Sequence, residues 1–495
     1  MINYAKYLIV QCDIFIIPNK NKKNIKEMDL LKILGANKKH LPIPLRLMQV
    51  GNLISVFVLI YIGWGMLSED LRYTNATSFL IWVVWWPMII FMVLLAGRMW
   101  CTMCHQKLIA DKIDRFGLQI KVPRWITKHG VTIVLTMVLG VFVLHTTVVG
   151  YGVSHFAYMS AIYLVLILAY PIVIALLFER HAYCKNFCPL IGFLGNYTRC
   201  SPTELRSADL NKCRECRDKE CVKHCQNKLY MGAMDAQQQE GCLLCMQCVK
   251  YCPHDNIAFR LRPFFRGLWD SPKRSTAGAI AAMLLLGIVI GEVGEEWEVV
   301  DKAILFVPGV IADLTGFETI FDTATGGYLI WESLFLFIVL PAVIFGLTGT
   351  ASAVLARGES IWNYIKIYVL GFIPLILSLH LAKHFNKFIG QIGYLPHVIN
   401  DPFGTSTAEA IKTGALENPG ALILSRSAEG WFLILFVSVF GVLGSLYIIW
   451  KISKINFGED PKQGMLSAAP FMLTVIFFGI VFILTIYNWL VIGSP

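Results

Sequence analysis

Long apolar runs separated by short polar segments set the rhythm of this chain. About 20 apolar residues, rising 1.5 Å each as a helix, cover a hydrocarbon core about 30 Å thick. Nine runs meet that length, over residues 49–67, 78–97, 131–150, 158–178, 275–293, 328–350, 362–382, 430–450 and 466–492. After the fourth run the pattern breaks into a polar, cysteine-rich block at 184–262. Pro87 and Pro171 fall inside runs, and Gly287 with Gly291 forms a small-xxx-small pair. These read as kink and packing features of membrane helices. The predicted fold is mainly α: a polytopic membrane protein of about nine transmembrane helices with an inserted α+β domain.

Composition agrees with that reading. The chain has 495 residues, 56% of them hydrophobic and 15% charged, well below the charged fraction of a soluble domain. Its net charge of +10 matters less than where the charges lie. Residues 1–47 hold nine Lys/Arg against three Asp/Glu, 98–130 hold seven against two, and 179–274 hold sixteen against ten. Residues 294–327 instead hold one basic residue, Lys302, against seven acids. Positive segments stay inside. The N-terminus, the 98–130 loop and the cysteine block are therefore expected in the cytoplasm and the C-terminus outside, in a multi-pass cell (inner) membrane protein. The outer segments 294–327 and 383–429 are long enough to meet an extracytoplasmic partner. Residues 1–17 are weakly apolar, but a lysine-rich stretch follows in place of a cleavage site, so the first span is expected to direct insertion.

Of fourteen cysteines, ten fall in metal-ligand spacings inside the polar block at 184–262, which suits a reducing compartment. The strongest run is Cys242-x2-Cys245-x2-Cys248-x3-Cys252-Pro253, and its partner is Cys213-x2-Cys216-x4-Cys221-x3-Cys225. Three closely spaced thiolates wrap three corners of a cubane, and the fourth crosses to the other cluster in two-cluster ferredoxins. That rule assigns Cys213, Cys216, Cys221 and Cys252 to one 4Fe–4S cluster. It assigns Cys242, Cys245, Cys248 and Cys225 to the other. The first run carries two extra residues, and Gln226 stands where proline is usual. Zinc knuckles take four ligands in two pairs, unlike these two runs of four.

Two further pairs border the membrane: Cys101-Thr-Met-Cys104-His105 and Cys184-Lys-Asn-Phe-Cys188-Pro189. With them, residues 46–265 resemble the membrane polyferredoxins, which join four helices, two cysteine pairs and a dicluster ferredoxin domain. That family includes the accessory quinol-dehydrogenase subunit of periplasmic nitrate reductase, the membrane regulator of nitrous-oxide reductase maturation and the accessory protein for cbb3-type oxidase assembly. Cys184-x3-Cys188-Pro189 matches the family's pattern, whereas the first pair is one residue shorter with His105 in place of proline. Residues 266–495 lie outside the resemblance. Cys101–His105 also spells the C-x-x-C-H of c-type haem attachment, which would require inverting the topology. For Cys101, Cys104, Cys184 and Cys188 three readings compete: ligands of a third metal centre, a redox dithiol, or packing. Cys12 and Cys200 have no partner at a useful spacing and read as inert buried thiols.

His380 and His384 share one helical face near the end of the seventh run. His145, His155 and His397 are expected on the same side, with Glu292 and Glu332 bordering it. These ionisable groups are candidates for a haem b or quinol site, against an interfacial role with headgroups and water.

The resulting division is a basic segment 1–47, a four-helix module 48–180, a ferredoxin-like domain 181–265 and a five-helix module 266–495. The function expected is electron transfer between the quinone pool and a redox partner, such as a cytochrome or reductase, in a respiratory complex. The resemblance implies quinol oxidation with electrons sent outward. The alternatives are a maturation factor supplying reducing equivalents to a metalloenzyme, and a redox sensor without turnover. No P-loop or dinucleotide fingerprint stands out, and the basic residues follow membrane sidedness, which disfavours nucleic-acid binding. A reporter fused after Pro495 is expected to be active outside the cell, and one fused near Arg262 inside. The reverse pattern would restore the haem reading of Cys101–His105.

Overall fold

The computed structural model describes residues 29–33, 40–65, 72–123, 156–232, 241–270, 276–315, 331–358, 360–417 and 425–493, with scattered positions at 134–143 and 419. Among them, eight helices are long and apolar enough to span a bilayer: α1 Pro42–Trp64, α2 Ala76–Ala96, α3 Ala157–Leu177, α4 Thr276–Gly294, α5 Trp331–Ala356, α6 Ile361–Asn400, α7 Arg426–Asn456 and α8 Pro461–Ile492. The chain is thus a mainly helical, multi-pass membrane protein. The expected span at 131–150 lies mostly outside the described residues, as do Cys12, His145 and His155.

Burial ranks these helices. Within its most apolar stretch α6 is 89% buried and α4 72%, against 17% for α1. The α4–α6 pair is therefore the axis of the bundle, and α1 stands at its lipid edge. Helix association in lipid depends on close packing, which small side chains permit. Helix α4 is built for that: Ala277, Ala279, Ala281 and Ala282 are all buried. A Cβ on Gly287 would overlap the carbonyl oxygen of Leu336 on α5, so only glycine lets those backbones meet. In α2, a π-helical stretch over Leu80–Trp85 runs straight into Pro87. Such bulges absorb a missing backbone donor, and just after this one Trp86 meets His384 of α6, with Trp85 beside it.

Two expectations change most. The seventh apolar run ends at residue 382, yet α6 continues to Asn400. The polar residues that end the hydropathy run have partners inside the protein. Lys383 pairs with Glu295 at 2.7 Å and with Glu296, His384 bonds Trp86, and Asn386 donates to Glu429. Satisfied in this way, they do not end the helix. Part of the expected loop 294–327 is likewise helical, over Glu298–Thr315.

The cysteine-rich insert is closed by two antiparallel strands, β1 Thr203–Ser207 and β2 Ile257–Leu261, with Thr203 opposite Leu261 and Ser207 opposite Ile257. Its two ends are thereby held together above the bundle. Arg262, 1% exposed, fastens that root by donating to the carbonyls of Ser201 and Thr198, each at 2.9 Å. Short helices Leu210–Glu215, Glu220–Lys223 and Gln247–Lys250 carry the loops between the strands.

Candidate functional site

The insert folds its cysteines around two recesses. Cys213, Cys216, Cys221 and Cys252 line one, and Cys225, Cys242, Cys245 and Cys248 line the other. The two recesses are of nearly equal size. Left-handed backbone at Leu244 and Met246, on either side of Cys245, bends the second loop around its recess. At the first recess, a Cβ on Gly232 would fall 2.7 Å from Cys213 Cβ, and the glycine keeps that wall open.

The donor chemistry suits a soft metal centre. Burial pushes the Cys242 thiol up to about 12, and it raises Cys245 and Cys248 as well. Thiols in so dry a place stay protonated unless a bound cation displaces the proton, as metals do. Backbone N–H groups of Leu229 and Asn256 point at Cys225 Sγ and Cys252 Sγ, at 3.4 and 3.3 Å. The Asn256 amide reaches Cys213 Sγ at 3.3 Å. A zinc–thiolate tetrahedron with bonds of about 2.3 Å would hold its sulfurs about 3.8 Å apart. Among the described residues, three ligand atoms lie within 4.8 Å of one another only in Glu292–His380–His384 and Asp111–Asp114–His181, neither of which includes a cysteine. The recesses are too wide for one shared ion and suit a centre of several atoms.

The two membrane-border pairs converge. Cys101, Cys104, Cys184 and Cys188 are half-buried around Arg98, which is 2% exposed and bonded to the Cys101 thiol. Burial opposes the Arg98 charge, but Cys101, Cys188 and Cys184 outweigh it and raise its pKa. Burial, with Cys101 alongside, lifts Cys104 to about 12 and Cys188 to about 11. His105 is 5% exposed, and burial lowers its pKa to about 4. Cys200 is wholly buried in the main hydrophobic core.

A polar knot at Asp111 ties this thiol group to the second recess. Asp111 pairs with Lys107 at 2.9 Å and with His181 Nδ1 at 3.1 Å, and it accepts both bonds of the Gln226 amide, at 3.0 and 2.9 Å. Lys107 also lies within electrostatic reach of Cys245 and Cys184. Burial raises the Asp111 pKa, but the His181 hydrogen bond and Lys107 more than offset it, so the net shift is downward. Gln226 thus has its own task at the position where proline is usual. A proline there could not make this bond.

In the bundle, the structure brings His380 and His384 together with Glu292. Tyr197, on the short helix after Cys188–Pro189, meets His380 Nδ1 at 2.9 Å, and Trp86 of α2 donates to His384 Nε2 at 2.8 Å. Glu332 sits elsewhere, near Asp301 and Glu295, and His397 lies 13 residues beyond His384 on α6. Arg98, Asp111, Gln226, Tyr197 and Trp86 are the residues that spacing alone does not reveal. The small-residue composition of α4 and the tryptophan pair before Pro87 were the available hints.

No family model and no solved structure matches the chain. It is similar to a curated protein of Escherichia coli (strain K12) named "Putative electron transport protein YccM", 27% identical over 124 residues. That stretch is 25% of this chain and 33% of the relative, so the chain spans about a third of the relative's length.

Replacing Asp111 with Asn leaves Lys107, whose side chain is 10% exposed, without its ion pair. Breaking one side of a buried pair costs about 3 kcal/mol or more, and the partial exposure of Asp111 brings this to about 2 kcal/mol. Amides of the helix His105–Ile113 and of residues 242–252 are then expected to exchange with solvent at least about tenfold faster. Unchanged exchange in both segments would show that the knot does not hold the insert to the membrane.

Proposed function

We propose that this chain is a membrane iron–sulfur electron-transfer protein. Its insert would be a ferredoxin-like domain on the cytoplasmic side, holding two 4Fe–4S clusters and exchanging electrons between the quinone pool and a redox partner. The observation that carries this reading is the division of eight cysteines into two recesses of four, with Cys225 and Cys252 each lining the recess that holds the other run's first three. The electron-transport name of the similar protein supports it, as does the membrane setting. The clusters, when bound, supply one-electron storage at potentials set by burial and by hydrogen bonds to sulfur.

The protein's own part is to hold, dry and orient. Eight thiolates ligate. The Asn256 amide and the N–H groups of Leu229 and Asn256 take up part of the negative charge on Cys213, Cys225 and Cys252. Leu205, Met231, Leu243 and Met246 give the second recess apolar walls that keep water out. Cys101, Cys104, Cys184 and Cys188 form a third centre at the membrane face, where buried Arg98 balances their charge. The Asp111 knot keeps that centre next to the second recess. The resemblance extends the reading to quinol oxidation within a respiratory complex.

Protein purified without oxygen is expected to carry about eight irons and eight sulfides in the insert, with interacting signals of two reduced cubanes by EPR. Cys252→Ser and Cys225→Ser are expected to disturb different cubanes, because each residue lines the other run's recess. Zinc in place of iron, or about four irons in the unaltered insert, would overturn the assignment.

A further inference from the structure

Near the C-terminal end of α4, Glu292 meets His380 and His384 of α6, and each of the three offers a ligand atom within 4.8 Å of the other two. Each also has one buried polar atom with no hydrogen-bond partner: Glu292 Oε2, His380 Nε2 and His384 Nδ1. His380 is 1% and His384 8% exposed. Glu292 Oε2 and His380 Nε2 stand 3.5 Å apart. A buried polar atom left unmet costs about 1–3 kcal/mol, so three in one place call for a guest.

The opposite ring nitrogens define that guest. An indole N–H only donates, so His384 Nε2, bonded to Trp86, must accept. In the neutral ring the hydrogen then lies on Nδ1, and His384 offers a donor. The Tyr197 hydroxyl can donate to or accept from His380 Nδ1, so His380 Nε2 can present either a lone pair or a hydrogen. A metal ion would need a lone pair from His384 Nδ1, which the Trp86 bond denies. A haem iron cannot sit between two imidazoles whose ring centroids are 4.7 Å apart. An organic oxygen meets the demand: it accepts from His384 and, as a hydroxyl, donates to Glu292 or His380.

We propose that this trio binds the headgroup oxygen of a lipid-soluble para-quinol or quinone, an inference that rests on the quinone-linked reading above. The Glu292 side chain is 34% exposed while the imidazoles behind it are buried, so the side of the carboxylate is where a ligand can enter. Flat walls for its ring come from Trp86 and Phe193, whose centroids lie 6.1 and 6.2 Å from His384 and His380. Trp86 is a positioning residue that fixes the His384 tautomer. Through Trp85, at 5.9 Å from Trp86 and 5.6 Å from Trp100, aromatic rings run from this site to the residue preceding Cys101. The site joins α4 and α6 to α2 and to the helix of Tyr197.

The test is equilibrium binding of a fluorescent hydroxyquinoline N-oxide, a quinol analogue, to the full chain in lipid nanodiscs. His384→Leu is expected to weaken binding at least tenfold. Trp86→Phe keeps a ring but frees the tautomer, and should weaken binding several-fold. His397→Gln, further along α6, should leave it unchanged. Iron content equal to the parent's shows that each variant is folded. Binding by the parent and equally by folded His384→Leu and Trp86→Phe would overturn this site, leave the gap to a buried water, and let the quinone-linked reading stand. No binding by the parent would remove both.

Discussion

A polar group carried into an apolar bundle must find its partner there, because no water is present to supply one. Helix α6 shows how far that constraint reaches. It is the most buried span, yet it carries His380, Lys383, His384 and Asn386 near its middle. Lys383 and Asn386 are matched from neighbouring helices by Glu295, Glu296 and Glu429. The histidines are matched on one side each, by Tyr197 and Trp86. The span can therefore run on to Asn400, with short 3-10 turns at Val369–Phe372 and Ile392–Tyr394, and each imidazole keeps one ring nitrogen without a hydrogen-bond partner.

The same constraint organises the cysteines. Burial disfavours the charged form of Cys104, Cys184 and Cys188 at the membrane face and of Cys213, Cys221, Cys242, Cys245 and Cys248 in the insert, so the recesses make chemical sense with cations bound. The protein supplies what compensation it can: Arg98 among the four membrane-face thiols, and donors from Asn256 and Leu229 at the recesses. Asp111 then joins the two regions, drawing on Lys107, on His181 before Cys184, and on Gln226 after Cys225. The result is an unbroken succession from the insert, through the membrane-face thiols and three tryptophans, to the histidines of α6.

Much of this is legible in the chain itself. Hydropathy locates eight spans to within a few residues at most ends, because twenty apolar residues in a row have few alternatives to a membrane helix. The cysteine runs are visible because ligand spacing is local. The end of α6 is not, since Lys383 and His384 read as an interface until Glu295, Glu296 and Trp86 are known to stand beside them. Gln226 reads as a departure from a pattern until Asp111, 115 residues away, is seen to bond it. The pairing of Glu292 rather than Glu332 with the histidines depends on how α4 crosses α6, which no period along the sequence records. Local signals survive in one dimension, and partners brought together by packing do not.

The central claim is that electrons pass between a membrane quinone and the metal centres of the insert. The most direct measurement is the visible absorbance of the iron-loaded chain in liposomes when a short-chain quinol is added anaerobically, followed by the corresponding quinone. Bleaching by the quinol, or recovery of dithionite-bleached absorbance by the quinone, within seconds is the predicted result. Centres that respond to dithionite but exchange electrons with neither quinol nor quinone would contradict the account.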